Sequence, residues 1–352
     1  MSLRKLLIVG SMIIITISSR AQDPLFTQFY HSPVYLNPAF TGCGKNDFRA
    51  CFTGRMQWLN LPDPLQYYTA SVDKYFADPK ASLGFVANHF NEGYIKTTQL
   101  YLIAAKNFGD DGDNCDRRWF VNFAFQGGLG WRNADRSKLL FPDQLDPNGL
   151  NGQASQFELF QYAKRAYLDL SAGMVFTYGN VMFGAAAYHM NNPVNGLFGT
   201  NPDDKLTRRY TFHLSFINDN YPNVDKEILL KPTIIFNTQG VSKSLVVGSF
   251  LDFPYGPLEA GIWYRNNFGL VENHTIGITV TFKLGKDKNY YNGDASGRFN
   301  TGVSYEGEIT RPGVRYTKGS SELGMLFEKN LESDGTCPKP YGCATRFPWV
   351  FF

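Results

Sequence analysis

Histidines, cysteines and paired carboxylates are the side chains of this sequence best suited to chemistry, and their spacing is the first thing to test. The five histidines, His31, His89, His189, His213 and His274, lie far apart. None sits in an HExxH pair, and the chain has no GxSxG elbow, no P-loop and no GxGxxG turn opening a helix after a strand. The acidic run Asp110, Asp111, Asp113 and Asp116 has the density of a cation loop. A calcium loop closes on a bidentate carboxylate at its twelfth position, but counting from Asp111 reaches Asn122. Glu306 and Glu308 stand two apart without an acid–base partner in reach of the pattern. The expectation is a protein without catalytic residues, metal or cofactor.

Five cysteines are present: Cys43, Cys51, Cys115, Cys337 and Cys343. The ring from Cys337 to Cys343 is short and holds Pro338, Pro340 and Gly342, which makes this pair the candidate disulfide. The odd count leaves a thiol over, and the spacing fits no zinc pattern. The pairing of the others stays open.

The elements that must position these residues repeat with a period of two. Phe48, Ala50, Phe52, Gly54, Met56 and Trp58 alternate with Arg49, Cys51, Thr53, Arg55 and Gln57. Trp119, Val121, Phe123, Phe125, Leu129 and Trp131 alternate with a set containing Asn122, Gln126 and Arg132. Runs around 168–176, 210–216, 275–283 and 299–308 do the same, and weaker ones lie at 67–76, 81–90, 97–108, 180–190, 227–238, 243–252, 257–266 and 321–329. Successive strand side chains point to opposite faces, so each run has one apolar and one polar face. About 14 strands of about 10 residues suit a tilted crossing of a bilayer.

The aromatic share of 16% supports the membrane reading, since aromatics such as Phe48, Trp58, Trp119 and Trp131 cap the runs as interfacial girdles do. The fold class expected is all-β, an outer-membrane barrel of about 14 antiparallel strands. Arg49, Arg55, Asp73, Arg132 and Arg265 then face its lumen. With both chain ends periplasmic, the two longest connections, about 133–165 and 191–207, fall outside, and many inner connections are short.

Residues 1–21 read as a cleaved signal peptide: Arg4 and Lys5 precede an apolar stretch from Leu6 to Ile17, and Ser19 and Ala21 supply small residues before Gln22. That segment holds three basic residues and no acids, so its removal takes the formal charge from +3 to neutral. A neutral chain has no field for nucleic acid. The expected organisation is a signal peptide (1–21), a Pro- and aromatic-rich segment (22–47), the barrel (48–330) and a tail with two cysteines (331–352).

The segment after the leader is neither strand nor amphipathic helix. It holds Asp23, Pro24, Phe26, Gln28, Phe29, then Asn37, Pro38, Ala39 and Gly42. Pro24, Pro33 and Pro38 interrupt regular structure while the aromatics demand burial. It must pack into the barrel's own lumen as a plug or against a partner. These residues resemble the opening of the PorP/SprF family of type IX secretion outer-membrane barrels. The resemblance continues at Arg55 to Trp58, Gln66 to Asp73, Phe141 to Gln144, Leu170 to Gly173 with Gly184, His189 and Pro193, Lys231 and Pro232, Gly302 to Glu306, and Gly319 to Glu322. The tail and the loop at 133–165 depart from it, and Trp349 to Phe352 mimics an assembly signal.

The resemblance implies a component of type IX secretion or gliding motility. Such a component partners a secreted adhesin's C-terminal domain or the periplasmic ring of the machine, within outer-membrane lipid. Lumen charges such as Arg49, Arg55 and Arg132 leave a diffusion channel or solute transporter as the alternative.

Overall fold

The computed structural model describes residues 23–44, 46–76, 78–109, 119–135, 144–146, 149–150, 152, 164–197, 205–216, 229–253, 257–269, 272–284, 297–310, 313–329 and 331. The leader, the acidic run at 110–116, Arg118, Cys115, Phe141 to Asp143 and the tail beyond Leu331 lie outside them.

Fourteen strands close into one antiparallel barrel. They are β1 (Phe48–Gln57), β2 (Leu65–Phe76), β3 (Ala81–Glu92), β4 (Ile95–Gly109), β5 (Trp119–Ala134), β6 (Lys164–Tyr178), β7 (Val181–Tyr188), β8 (Arg209–Phe216), β9 (Leu229–Gln239), β10 (Ser242–Asp252), β11 (Leu258–Phe268), β12 (Asn273–Leu284), β13 (Arg298–Glu308) and β14 (Ser320–Lys329). Each strand pairs with its sequence neighbours. β1 pairs with β14 from Phe48 opposite Lys329 to Gln57 opposite Ser320, which leaves the sheet no edge.

The period-two pattern is resolved as expected, with the apolar set facing out and the polar set facing the lumen. Leu102 and Phe125 are 70% and 72% exposed, whereas Arg49, Arg55 and Asp73 on the opposite parity are buried. In water such a surface would be a severe liability; against hydrocarbon it is the wetted face. Gln66, Lys74, Lys106 and Lys329 punctuate the outward rows near the strand ends.

Three features depart from the sequence reading. Trp58 does not join a lipid girdle: β1 ends at Gln57, Trp58 has φ 59°, and its indole Nε1 donates to Glu308 Oε1 at 2.6 Å. The left-handed residue turns the chain and breaks the alternation there. The loop asymmetry rests on two long connections alone, because Gly93–Tyr94 and Gly240–Val241 on the same side are two-residue turns. A small hairpin, Leu145–Asp146 against Gly149–Leu150, sits within the longest connection.

The start of β1 and the end of β14 lie together at one end of the cylinder, called here the chain-end side; the far end is the loop side. The short helical turns Pro33–Leu36 and Pro38–Phe40 lie inside the barrel. Each proline opens its turn, at a position where the missing N–H has no intrahelical partner to lose.

Candidate functional site: a lumen filled by the N-terminal segment

Residues 23–44 thread the lumen from the loop side to the chain-end side, where they join β1. Tyr30, His31, Asn37, Ala39, Phe40, Thr41 and Cys43 have no exposed surface. The segment is held at three levels, each by inward side chains that the strand parity presents.

At the loop side, Asp23 Oδ2 lies 2.7 Å from His189 Nε2 and 3.3 Å from Arg209 Nη1, and His189 Nδ1 lies 2.7 Å from Asp169 Oδ2. Tyr101 OH donates to the same Asp169 oxygen at 2.7 Å. The Asp23 N–H donates to Gln239 Oε1 at 2.9 Å. Burial alone would raise the Asp23 carboxyl, but His189 and Arg209 outweigh it and hold its pKa below the usual carboxylate range. Arg209 also stacks over Tyr188 and Tyr35, 4.0 and 4.9 Å from their centroids.

Two residues in from the loop-side ends of β1, β13 and β14, the carboxylate of Glu322 accepts the backbone N–H groups of Thr27 and Gln28, both at 2.7 Å. Arg55 Nη1 donates to Glu306 Oε2 at 2.8 Å, to Glu322, and to Thr27 Oγ1 at 2.9 Å. Arg265 pairs with Glu306 at 3.2 Å, and Thr27 Oγ1 donates to that carboxylate at 2.6 Å. Two arginines thus meet two carboxylates, with the segment's own polar groups built into the cluster.

Near the chain ends, Arg49 grips Asp73 through Nε at 3.0 Å and Nη2 at 3.1 Å, and the same Nη2 donates to the Phe40 carbonyl at 2.7 Å. Gly42 N–H donates to Asp73 Oδ2 at 2.7 Å. Asn122 Nδ2 donates to the carbonyls of Ala39 and Thr41 at 2.6 and 3.1 Å. Cys43 is disulfide-bonded to a cysteine outside the described residues, and Cys51 is a free, buried thiol.

Apolar contacts fill the remainder. Phe29 packs edge-on against Trp263 with centroids 4.8 Å apart, Tyr30 against Phe250 at 4.3 Å, and Phe26 against Tyr35 at 5.0 Å. Tyr35 OH donates to the Pro24 carbonyl at 2.8 Å. The barrel wall is shaped to the segment. Asn37 lies where a Cβ on Gly173 would come within 2.1 Å of its Oδ1. His31 and Gln28 lie 2.6–2.7 Å from where a Cβ would stand on Gly302 or Gly324.

The sequence-derived motif residues Asp23, Pro24, Phe26, Gln28, Phe29, Asn37, Pro38, Ala39 and Gly42 are therefore brought together inside the barrel. Arg49, Arg55, Asp73 and Arg265 line the same space and bind the segment. Arg132 faces inward half-buried at the loop side of β5, away from this network. Cys337 and Cys343 lie outside the described residues. The partners Asp169, His189, Arg209, Glu306 and Glu322 were not paired from sequence. Their inward parity was readable, but their separation in the chain hid which of them would meet.

Two voids of about 20 Å³ flank the segment, one beside Phe26 and Arg265 and one beside Asp23 and His189. Each has room for about one water. Among the described residues no cluster of three metal-ligating side chains occurs.

Comparisons with solved structures find barrels. The chain is similar to the CymD monoaromatic hydrocarbon channel (9% identity, 88% of this chain and 93% of that one, TM-score 0.48). It is also similar to Omp33 of Acinetobacter baumannii (7%, 81% and 98%, TM-score 0.42) and to the KdgM porin (7%, 80% and 98%, TM-score 0.33). No curated protein matches the chain. The family model for the type IX secretion system membrane protein PorP/SprF matches residues 18–327, spanning the luminal segment and nearly the whole barrel. The protein therefore belongs to the PorP/SprF family of type IX secretion membrane proteins and resides in the outer membrane.

Proposed function

We propose that this barrel serves type IX secretion and gliding motility as a non-enzymatic docking component, reached through a cleaved leader, and not as a conduit. It binds a secreted adhesin's C-terminal domain, or the periplasmic ring of the machine, at its ends while its lumen stays closed. The observation that supports this reading is the three-level seating of residues 23–44, in which Asp23, Thr27, Gln28, Phe40 and Gly42 engage the lumen's charged side chains. A diffusion channel needs those charges facing water and a passage wider than one molecule of it. Here Arg55 and Arg265 are matched by Glu306 and Glu322, so the charges that suggested a pore hold the segment instead.

The test is genetic and biochemical. Deleting the gene is expected to abolish surface display of a particular large adhesin, and affinity capture from detergent-solubilised outer membranes is expected to recover that adhesin or a ring subunit. Normal display of every type IX substrate in the deletion strain would contradict the proposal.

A further inference from the structure

Closure gives every strand of the barrel two neighbours, but not along its whole length. β6 pairs with β5 from Tyr178 to Lys164, whereas its ladder with β7 stops at Ala172, opposite Ala187. The chain turns out of β7 at His189, whose φ is 56°, and rejoins the wall at Arg209 of β8. Among the described residues β6 therefore overhangs β7 from Lys164 to Ser171, on the loop side.

In a strand the N–H and C=O of one residue point to the same side, and the side alternates. On this flank of β6 they belong to Ala166, Leu168 and Leu170. Met190 N–H donates to the Leu170 carbonyl at 2.8 Å. The Asn191 side-chain amide then stands in for a peptide group. Its Oδ1 accepts the Leu170 N–H at 3.2 Å, and its Nδ2 donates to the Leu168 carbonyl at 2.8 Å. Beyond it, the N–H of Leu168 and both backbone groups of Ala166 meet no partner among the described residues, and both residues are exposed.

The opening is one strand wide, because β6 and β8 flank the missing length of β7 at two strand spacings, about 10 Å. Both of its banks are basic. Lys164 is exposed on β6, and Arg208, exposed just before β8, uses only its Nε, on the Met190 carbonyl at 3.0 Å. We propose that this flank receives one extended, acidic segment of a partner protein on the loop side, added antiparallel to β6. Its backbone completes the hydrogen bonds of Ala166 and Leu168, and its carboxylates meet Lys164 and Arg208. The inference gives the docking reading above a place on the barrel. Gene deletion tests that reading and peptide binding tests the flank, so the two fail separately.

The test uses the full-length protein in lipid nanodiscs and the fluorescein-labelled octapeptide Thr-Val-Thr-Val-Thr-Glu-Glu-Glu, followed by fluorescence anisotropy. The octapeptide is expected to bind, and its counterpart with lysine for glutamate is not. Ala166→Pro removes a flank N–H and leaves the β5 ladder whole, since proline is accepted where its nitrogen faces no neighbouring strand. It should weaken binding about tenfold, from a lost hydrogen bond and a ring set against the incoming strand. Asn191→Ala uncovers two more backbone groups and should tighten binding, an opposite shift that misfolding cannot mimic. Heat-dependent gel mobility shows that each barrel is closed. No binding by the parent protein, equal binding of the two peptides, or an Ala166→Pro variant that binds as the parent does would overturn the proposal. So would a dimer that Ala166→Pro converts to monomer, which would assign the flank to a second copy of the chain.

Discussion

Asp23 and His189 stand 166 positions apart in the chain, yet their carboxylate oxygen and ring nitrogen meet at 2.7 Å inside the barrel. The contact holds the first described residue of the N-terminal segment at the loop side, and the segment crosses the lumen before it reaches β1. Its other end is held by chain continuity and by the Cys43 disulfide.

Asp23→Asn is expected to loosen that end. The substitution leaves Arg209 buried without its carboxylate, and breaking one partner of a buried ion pair costs about 3–5 kcal/mol. Hydrogen exchange followed by mass spectrometry checks this. Amides of residues 23–28 should lose protection in the variant while those of β1 and β14 keep it. Unchanged protection at 23–28 would show that the pair is dispensable.

Gly173→Val tests the fit of wall to segment without touching a charge. The added Cβ would stand 2.1 Å from Asn37 Oδ1 and 3.1 Å from Pro38 Cδ. Overpacking of this kind costs about 1–3 kcal/mol. The expected outcome is a barrel that still assembles, seen by its heat-dependent gel mobility, with protease access to residues around 37. Full resistance there would mean that the segment does not lie where Gly173 admits it.

The cysteine pairing is open to a direct chemical check. Cys51 is free, so Cys43 is joined to Cys115, Cys337 or Cys343. Asn122 Nδ2 lies 3.3 Å from Cys43 Sγ, and Cys115 shortly precedes Asn122 in the chain. A Cys43–Cys115 bond is expected, which leaves Cys337 and Cys343 for each other. Peptide mapping without reduction decides it; a Cys43 peptide linked to either tail cysteine would contradict both bonds.

The barrel was legible because one periodicity governs 14 segments. Lipid on one side and polar contacts on the other write the same alternation into β1, β5 and β12. The reading failed at Trp58, whose left-handed backbone follows the end of β1 and turns its own side chain to Glu308. Turns of that kind are set by local dihedrals that alternation does not encode. The N-terminal segment was recognisable as something that must be buried, from its prolines and aromatics. Its seat was not, because Glu322 receives Thr27 and Gln28 from about 300 positions away. Inward glycines such as Gly173 and Gly302 carried a trace of it, since a small residue on a luminal face marks a close approach by something else.

The claim on which the account rests is that residues 23–44 close the lumen. Planar-bilayer recording of the purified full-length protein, beside a variant lacking residues 23–41, tests it most directly. The account predicts a quiet bilayer with the intact protein and steady conductance steps with the shortened one. Large steady steps from the intact protein, equal to those of the variant, would contradict it.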